Sequence, residues 1–475
     1  MKAEDKNEII QLFENHFKEK AESFKSLPRS GSYREYARLK SENYSAIGAF
    51  NSDVKENTAF LSFTNHFRSS NLPVPKIYAV SSDLKRYLIQ DLGNLTLFDY
   101  MSGIRDTEGF SENIINEYLK VLKILPKIQI EGGKNLDFSV CYPRESFDKQ
   151  SMMWDLNYFK YYFLKLAKIH FDEQALEDDF QAFSDFLLSA DSDYFLYRDF
   201  QSRNIMLNNG LVYLIDYQGG RRGALQYDIA SLLYDGKADI PPQIREQLLK
   251  EYISELKQYI KIDESEFMAY FNGFVLIRIM QAMGAYGFRG FYEKKEHFLK
   301  SIPYAIKNLN YLLPKLNLPV SLPELIKVLN QIAHSEKLKK YGSTSNELTV
   351  MITSFSYKKG IPADSSGNGG GFVFDCRAIN NPGRFEEYKN LTGKDLQVQI
   401  FLENKSEMGQ FLESVKTLVN QSVNNYLERG FKHLSVNFGC TGGQHRSVYA
   451  AEKLAEYLKN NFPVTVVLLH REQQK

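Results

Sequence analysis

The sequence predicts a largely helical α+β unit, followed by a separate α/β unit with a largely parallel sheet. Three observations carry this expectation. Apolar residues at helical spacing dominate the first 335 residues. A compact strand, Asn-Gly, strand signal interrupts them near residue 209. Beyond about residue 347, strand and helix patterns alternate, as in parallel sheets. The chain has 475 residues, room for about three compact units.

Composition sets the outer bounds. With 43% apolar and 25% charged residues, the chain is of ordinary globular type and neither disordered nor collagen-like. Lys plus Arg number 59 and Asp plus Glu 58, so the net charge is +1 and gives no global argument for nucleic acid or membrane. Cys141, Cys376 and Cys440 are odd in number and far apart, which excludes a disulfide framework and zinc-type spacing. The first ten residues are polar and acidic, with no secretory pattern, and no apolar run approaches 18 residues. A cytoplasmic, reducing location with no membrane association is the expectation. The 34 Phe and 30 Tyr against a single Trp have no functional reading at this stage.

Ile9, Ile10, Phe13, Phe17, Ala21 and Phe24 predict a helix over 7–26. A turn-rich stretch, Leu27 to Arg38, follows, and Arg34 and Arg38 alternate in it like strand residues. Asp53 opens a helix to about Arg68, and Tyr87–Leu92 reads as a short strand. Residues 111–130 and 154–190 are mainly helical, with Trp154 expected in the core. Ile205–Leu207 and Leu211–Ile215 form a hairpin about Asn209-Gly210. Helices then run from about 224 to 335, interrupted at Pro241-Pro242 and at Gly284–Gly290. Residues 336–347 are a polar linker. In the last unit, Leu348–Phe355, Gly371–Cys376, Leu434–Phe438 and Val464–Leu469 are strands, Ser406–Arg429 and Arg446–Asn460 helices, and Gly360–Gly371 a Gly/Ser-rich loop.

The chemistry gathers at two places. Tyr197-Arg198-Asp199-Phe200-Gln201-Ser202-Arg203-Asn204 precedes the hairpin and Ile215-Asp216-Tyr217-Gln218 follows it. Phosphoryl transfer needs a carboxylate near the attacking hydroxyl and oxygen ligands for Mg²⁺. Asp199 suits the first task, Asn204 and Asp216 the second. The turn sets residue 204 opposite about 215, so Asp216 lies diagonal to Asn204.

These motifs resemble the aminoglycoside phosphotransferase and choline kinase-like superfamily, with its His-Gly-Asp…Asn…Ile-Asp signature. They are most similar to the cell-wall sugar kinases of the AmgK type, which phosphorylate N-acetylmuramate and N-acetylglucosamine at the anomeric position. Gln226-Tyr227-Asp228-Ile229-Ala230 also looks like that group. The resemblance spans residues 1–335 and implies a protein-kinase-like two-lobe fold, with a small lobe to about residue 90 and a helical lobe after it, and ATP and Mg²⁺. It makes Asp199 the catalytic base and Asn204 and Asp216 the Mg²⁺ ligands, with Gln201 where the family often has His. It sets Ser30, Gly31 and Ser32 in a phosphate-covering turn, and Gln90, Asp91 and Leu92 at an adenine-contacting hinge. No strand Lys can be placed over the phosphates; Arg34 and Arg38 are its candidate substitutes, with Glu56 as partner. Gln218, Arg221 and Arg222 are candidates to face the sugar.

The second place is Gly439-Cys440-Thr441-Gly442-Gly443-Gln444-His445-Arg446-Ser447, where a strand enters a Gly-rich turn and then a helix. Free N–H groups and a helix N-terminus make such a turn an anion site. Arg377, His470 and Arg471 follow other strands and would join Arg446 there if the sheet is parallel. Cys440 and Arg446 also fit the Cys-x5-Arg-Ser spacing of protein tyrosine phosphatases, a competing reading with Cys440 as nucleophile. This run, with Phe374-Asp375-Cys376-Arg377 and His470-Arg471-Glu472, resembles the C-terminal domain of RapZ over 348–475. That likeness implies binding of an amino-sugar phosphate at Arg377, Cys440–Ser447, His470 and Arg471. The RapZ P-loop and basic tail have no counterpart here, which counts against RNA as a partner. A kinase-fold adaptor without turnover is the alternative from another class.

Overall fold

The computed structural model describes residues 1–28, 34–342, 348–364, 370–429 and 431–473. Ser30, Gly31 and Ser32 lie outside the described residues, as do 343–347 of the linker and 365–369 of the Gly/Ser-rich loop. The chain divides into two compact units, Met1–Tyr292 with Ser301–Leu338 and Glu293–Lys300 with Lys339–Lys475. Among the described residues, no helix is long and apolar enough to cross a membrane.

The first unit begins with a helix, Ala3–Phe17, shorter than the predicted 7–26. Lys18 adopts φ 61° and closes it, its N–H reaching the Glu14 carbonyl. Phe24, expected on the helix, instead lies in β1 (Ser23–Ser26), paired antiparallel with β2 (Glu35–Lys40). Here strand pairing overrides local helical periodicity. β3 (Ser45–Phe50), β4 (Ile77–Val80) and β5 (Arg86–Gln90) complete an antiparallel sheet of order β1-β2-β3-β5-β4. The first helix packs Ile9 and Phe13 on Leu39, Ala46 and Leu88 of this sheet. It approaches so closely that a Cβ at Gly48 would lie 2.3 Å from Ile9 Cγ2.

Asp53 caps the helix Val54–Ser69 by accepting from the Lys55 and Glu56 N–H groups, as its position predicts. Phe60 of that helix stacks between Tyr87 of β5 and Tyr217, with ring centroids 5.2 and 5.4 Å apart. Phe63 and Phe67 pack on Phe195. Much of the aromatic excess is therefore core that joins the sheet to the helical part.

The helical part includes Glu112–Ile130, Lys149–Tyr158, Glu173–Leu188, Gln226–Leu233 and Glu264–Tyr286. Two short antiparallel pairs are set into it: β6 (Tyr194–Leu196) with β9 (Arg221–Gly223), and β7 (Ile205–Asn208) with β8 (Leu211–Leu214). Trp154 is 46% exposed beside Arg144, not in the core. Its helix buries Met152, Met153, Asp155 and Leu156 and turns Trp154 outward.

In the second unit, β10 (Thr349–Ser356), β11 (Phe372–Asp375), β12 (His433–Cys440) and β13 (Thr465–His470) form a wholly parallel sheet of order β11-β12-β10-β13. The helices Met408–Glu428 and Arg446–Asn461 bury Val415, Val419, Val423, Ala451, Leu454 and Leu458 in one apolar cluster with Val350, Ile352 and Val436. All four strands run the same way, so Ser356, Cys376, Cys440 and His470 reach one rim.

Candidate functional site

The β7–β8 hairpin builds the first site. Asn209 and Gly210 both take positive φ, 50° and 76°, the pairing that a two-residue hairpin turn with right-handed twist requires. The register is Ile205↔Leu214, and the Ile215 N–H donates to the Asn204 carbonyl at 3.1 Å. Asn204 and Asp216 are thus neighbours at the open end of the hairpin. Asn204 Nδ2 donates to the Asp199 carbonyl at 2.8 Å, which ties the loop across and leaves its Oδ1 for another partner. Gln218 Nε2 donates to Asp216 Oδ1 at 2.8 Å, leaving Asp216 Oδ2 free. The Asp199 carboxylate is partly exposed and accepts no hydrogen bond among the described residues.

Two backbone positions here are unusual. Arg198 has φ 82° and Asp216 has φ 69°. A non-glycine residue there costs about 1–3 kcal/mol and persists only where surroundings hold it. The holder at Arg198 is Asp228, fully buried, whose carboxylate accepts from the Tyr197 N–H at 2.8 Å, the Arg198 N–H at 3.1 Å and Gln129 Nε2 at 3.2 Å. Burial pushes the Asp228 carboxyl up to about 7 in spite of these donors. The Arg198 side chain is held too, by Asp155 at 2.6 Å and Tyr227 at 2.6 Å. Asp216 is open to solvent, yet the protein around it desolvates its carboxyl and raises it above the ordinary range. Gln218 and the charges of Arg34 and Arg203 oppose the shift, and Asp199 adds to it.

On the sheet side, Arg34 pairs with Glu56 at 3.2 Å and is almost fully buried against Phe60. This pair ties the residue just before β2 to the first turn of the helix Val54–Ser69. Arg38, the other candidate, is engaged elsewhere. It grips Asp91 at 2.8 Å, the Gly93 carbonyl at 2.9 Å and Asn94 at 2.8 Å. Asp91 also accepts from Ser45 at 2.5 Å, so its side chain braces β2 and β3 and only backbone remains for a ligand. Gln90 ends β5 and Leu92 is buried. Of the sugar candidates, Gln218 and Arg221 are buried and lie beside Asp216 in the chain. Arg222 alternates to the other side of β9, where it pairs with Asp193 and covers Phe138. The structure does not bring it to the others. Two exposed cations were not singled out by the sequence: Arg203, whose charge acts on Asp216, and Lys237, which in turn feels Arg203 and Asp235. Their signal in the sequence was only adjacency to Asn204 and Asp235.

The residues fit a Mg²⁺-nucleotide. Asn204 Oδ1 and the Asp216 carboxylate are hard oxygen donors, and such an ion takes only one or two protein ligands beside phosphates. Among the described residues, no group of three or more His, Cys, Asp or Glu forms a stand-alone metal cage.

The second site is the loop after β12. Cys440 Sγ accepts from the Gly443 N–H at 3.2 Å and lies 3.1 Å from Ser447 Oγ. Thr441, Gly442 and Gln444 are exposed, and Gly443 takes φ 68°. Its missing Cβ would meet Glu472 Cγ at 2.4 Å and the Ser356 N at 3.0 Å. The basic residues do not converge as free cations. Arg446 is buried and donates to the Arg377 and Ile379 carbonyls at 2.8 and 2.7 Å. Arg377 pairs with Asp375 and lies over Tyr357. His470 bridges Ser354 and Glu452, and Arg471 donates to the Lys359 and Gly360 carbonyls. His445 contacts the Tyr388 carbonyl. They follow the polar ends of loops, whose carbonyls need donors.

Residues 47–262 match the phosphotransferase enzyme family and residues 348–474 match the RapZ C-terminal domain. The chain thus matches two family models in succession, each over less than half of its length. Curated relatives described as nucleotide-binding proteins come from Albidiferax ferrireducens, 38% identical over 130 residues (26% of this chain, 42% of the relative), and Thermotoga neapolitana, 38% over 131 residues (28% and 44%). The chain thus spans less than half the length of these relatives. Among solved structures, a spectinomycin phosphotransferase in complex with ADP and spectinomycin is 13% identical, covering 69% of this chain and 98% of that one, with TM-score 0.44. A choline kinase from Streptococcus pneumoniae is 16% identical, covering 65% and 100%, with TM-score 0.44. Within residues 47–262, Asp199, Asn204 and Asp216 occupy one hairpin mouth. Within residues 348–474, Cys440–Ser447 follows β12 at the rim of the parallel sheet.

Proposed function

We propose that the first unit is an ATP-dependent phosphotransferase acting on a sugar hydroxyl, of the N-acetylmuramate or N-acetylglucosamine kind at the anomeric position, and that the RapZ C-terminal domain senses an amino-sugar phosphate. The observation that carries the first part is the Asp199 carboxylate, unpartnered among the described residues and backed by a loop locked through Asp228, Arg198 and Asn204. Asp199 accepts the proton of the acceptor hydroxyl as it attacks the terminal phosphoryl group. Arg34, oriented by Glu56, faces the phosphates, and Arg203 adds positive charge where negative charge develops. Asn204 and Asp216 would hold Mg²⁺, which neutralises phosphate charge when bound. Asp199→Asn should lower ATP-dependent turnover by about 10²–10⁴-fold in a coupled ADP-release assay over a panel of amino sugars. Turnover at the wild-type rate would sink the assignment.

The Arg34–Glu56 pair supports catalysis over the adaptor reading, because a buried arginine held by a helix carboxylate suits the phosphate side of such a site. For the second domain, the N–H groups of the exposed residues Thr441, Gly442 and Gln444 are the donors an anion would meet, since the Gly443 N–H is taken by Cys440 Sγ. The phosphatase reading is weak, since Arg446 spends its donors on the carbonyls of Arg377 and Ile379. Three unpaired thiols suit a reducing, cytoplasmic setting.

A further inference from the structure

Arg221 is 7% exposed, yet it makes one hydrogen bond, Nε to the Gly219 carbonyl at 3.2 Å, and no ion pair among the described residues. A guanidinium has five N–H donors, so four are left without a protein acceptor. Asp155, whose charge reaches Arg221, is already bound to Arg198 at 2.6 Å. Burial first, and Arg198 second, push the Arg221 guanidinium down to about 10, so it is still charged at neutral pH. The residue as a whole is buried, but its Nη groups are not sealed from solvent, so a largely buried charge is left open to a partner from outside the protein.

Two acceptors nearby have the opposite deficit. Asp155 Oδ2 and Gln218 Oε1 are buried and accept nothing. The Gln218 amide cannot be turned to cure this, because its Nε2 must face Asp216. One cation without an anion and two acceptors without donors are thus linked to the mouth: Gln218 bonds Asp216, and Asp155 and Arg221 both interact with Arg198, the neighbour of Asp199. The complement is a molecule with an acid group and with O–H or N–H groups next to it. A carboxylate matches the planar guanidinium edge with two parallel bonds.

We propose that Arg221 is the specificity-determining residue of the acceptor site and binds a carboxylate on a polyhydroxylated acceptor, whose O–H or N–H groups satisfy Gln218 and Asp155. This rests on reading the Asp199 mouth as the acceptor site, and it selects the acidic over the neutral member of the proposed sugar pair.

The test is titration calorimetry on the full chain without nucleotide, using N-acetylmuramate and N-acetylglucosamine, which differ by the carboxylate-bearing ether. The wild type should bind the acid at least about tenfold tighter, and Arg221→Gln should erase that preference while changing the neutral sugar less than about twofold. Its melting temperature should not fall, because an unpaired buried charge is removed; a structural arginine would show a fall. Should Arg221→Gln not fold, Arg221→Lys carries the test, weakening the acid alone by losing the two-point contact. Equal affinity for the two sugars, no binding of either, or a preference that survives in the variants overturns the proposal. ADP release reports separately: an intact acid preference with no turnover on any acceptor rejects phosphotransfer and leaves the Arg221 site standing.

Discussion

Asp228 shows how one buried side chain sets a reactive one. It touches no reacting atom, but its carboxylate holds the two N–H groups just before Asp199 and so fixes the turn at Arg198. Removing it by Asp228→Ala would leave both N–H groups unsatisfied and should cost about 2–5 kcal/mol, read by chemical denaturation. Its titration gives a second outcome. The folded value, about 7, lies above the unfolded value near 3.8, so the folded state holds the proton more tightly. That contribution favours folding at low pH and is lost as pH rises from about 4 to 7. The melting temperature of the wild type should therefore fall more steeply over this range than that of Asp228→Asn. Matching slopes would refute the buried, proton-holding state.

At the scale of elements, the hairpin decides the geometry. Gly210 needs φ 76°, which a β-branched residue resists, so Gly210→Val should destabilise by about 1–2 kcal/mol. It should also lower kcat more than it raises KM for ATP, because Asn204 and Asp216 shift relative to each other. Steady-state kinetics beside a thermal melt checks both. This hairpin was legible because Asn-Gly between alternating apolar runs is a local signal. The cap at Asp53 and the parallel strands of the second unit were legible for the same reason. β1 was not, since Phe24 continues a helical period and only pairing with β2 pulls it away. The destination of Arg38 was not legible either: its partners Asp91 and Asn94 are more than fifty residues away. Nor was the engagement of Arg446, His470 and Arg471, because loop carbonyls that absorb donors leave no mark in composition.

At the scale of the molecule, each unit has its own core. Leu454 is fully buried in the second unit's apolar cluster. Leu454→Ala should cost that unit about 2–5 kcal/mol. In calorimetry one transition should move while ADP release at low temperature stays at the wild-type level. A parallel loss of turnover would mean that the two units are not energetically separate. The near-balanced charge, which at first excluded little, now has a companion observation: the cations at the rim of the second unit are spent on the protein itself. That weakens the case for an extended polyanion there further than net charge alone does.

The brace at Asp91 has a mechanical consequence. Arg38 binds the chain through Asn94 to the sheet, while the very next residue, Leu95, accepts from the Leu207 N–H of the hairpin, and Thr96 bridges to Met206. Between two clamps only the Asn94–Leu95 peptide remains, a fulcrum one peptide wide. The antiparallel sheet would then swing as a stiff lever about that point, and structures with and without nucleotide should differ by rotation there, with the β2–β3–β5 register unchanged.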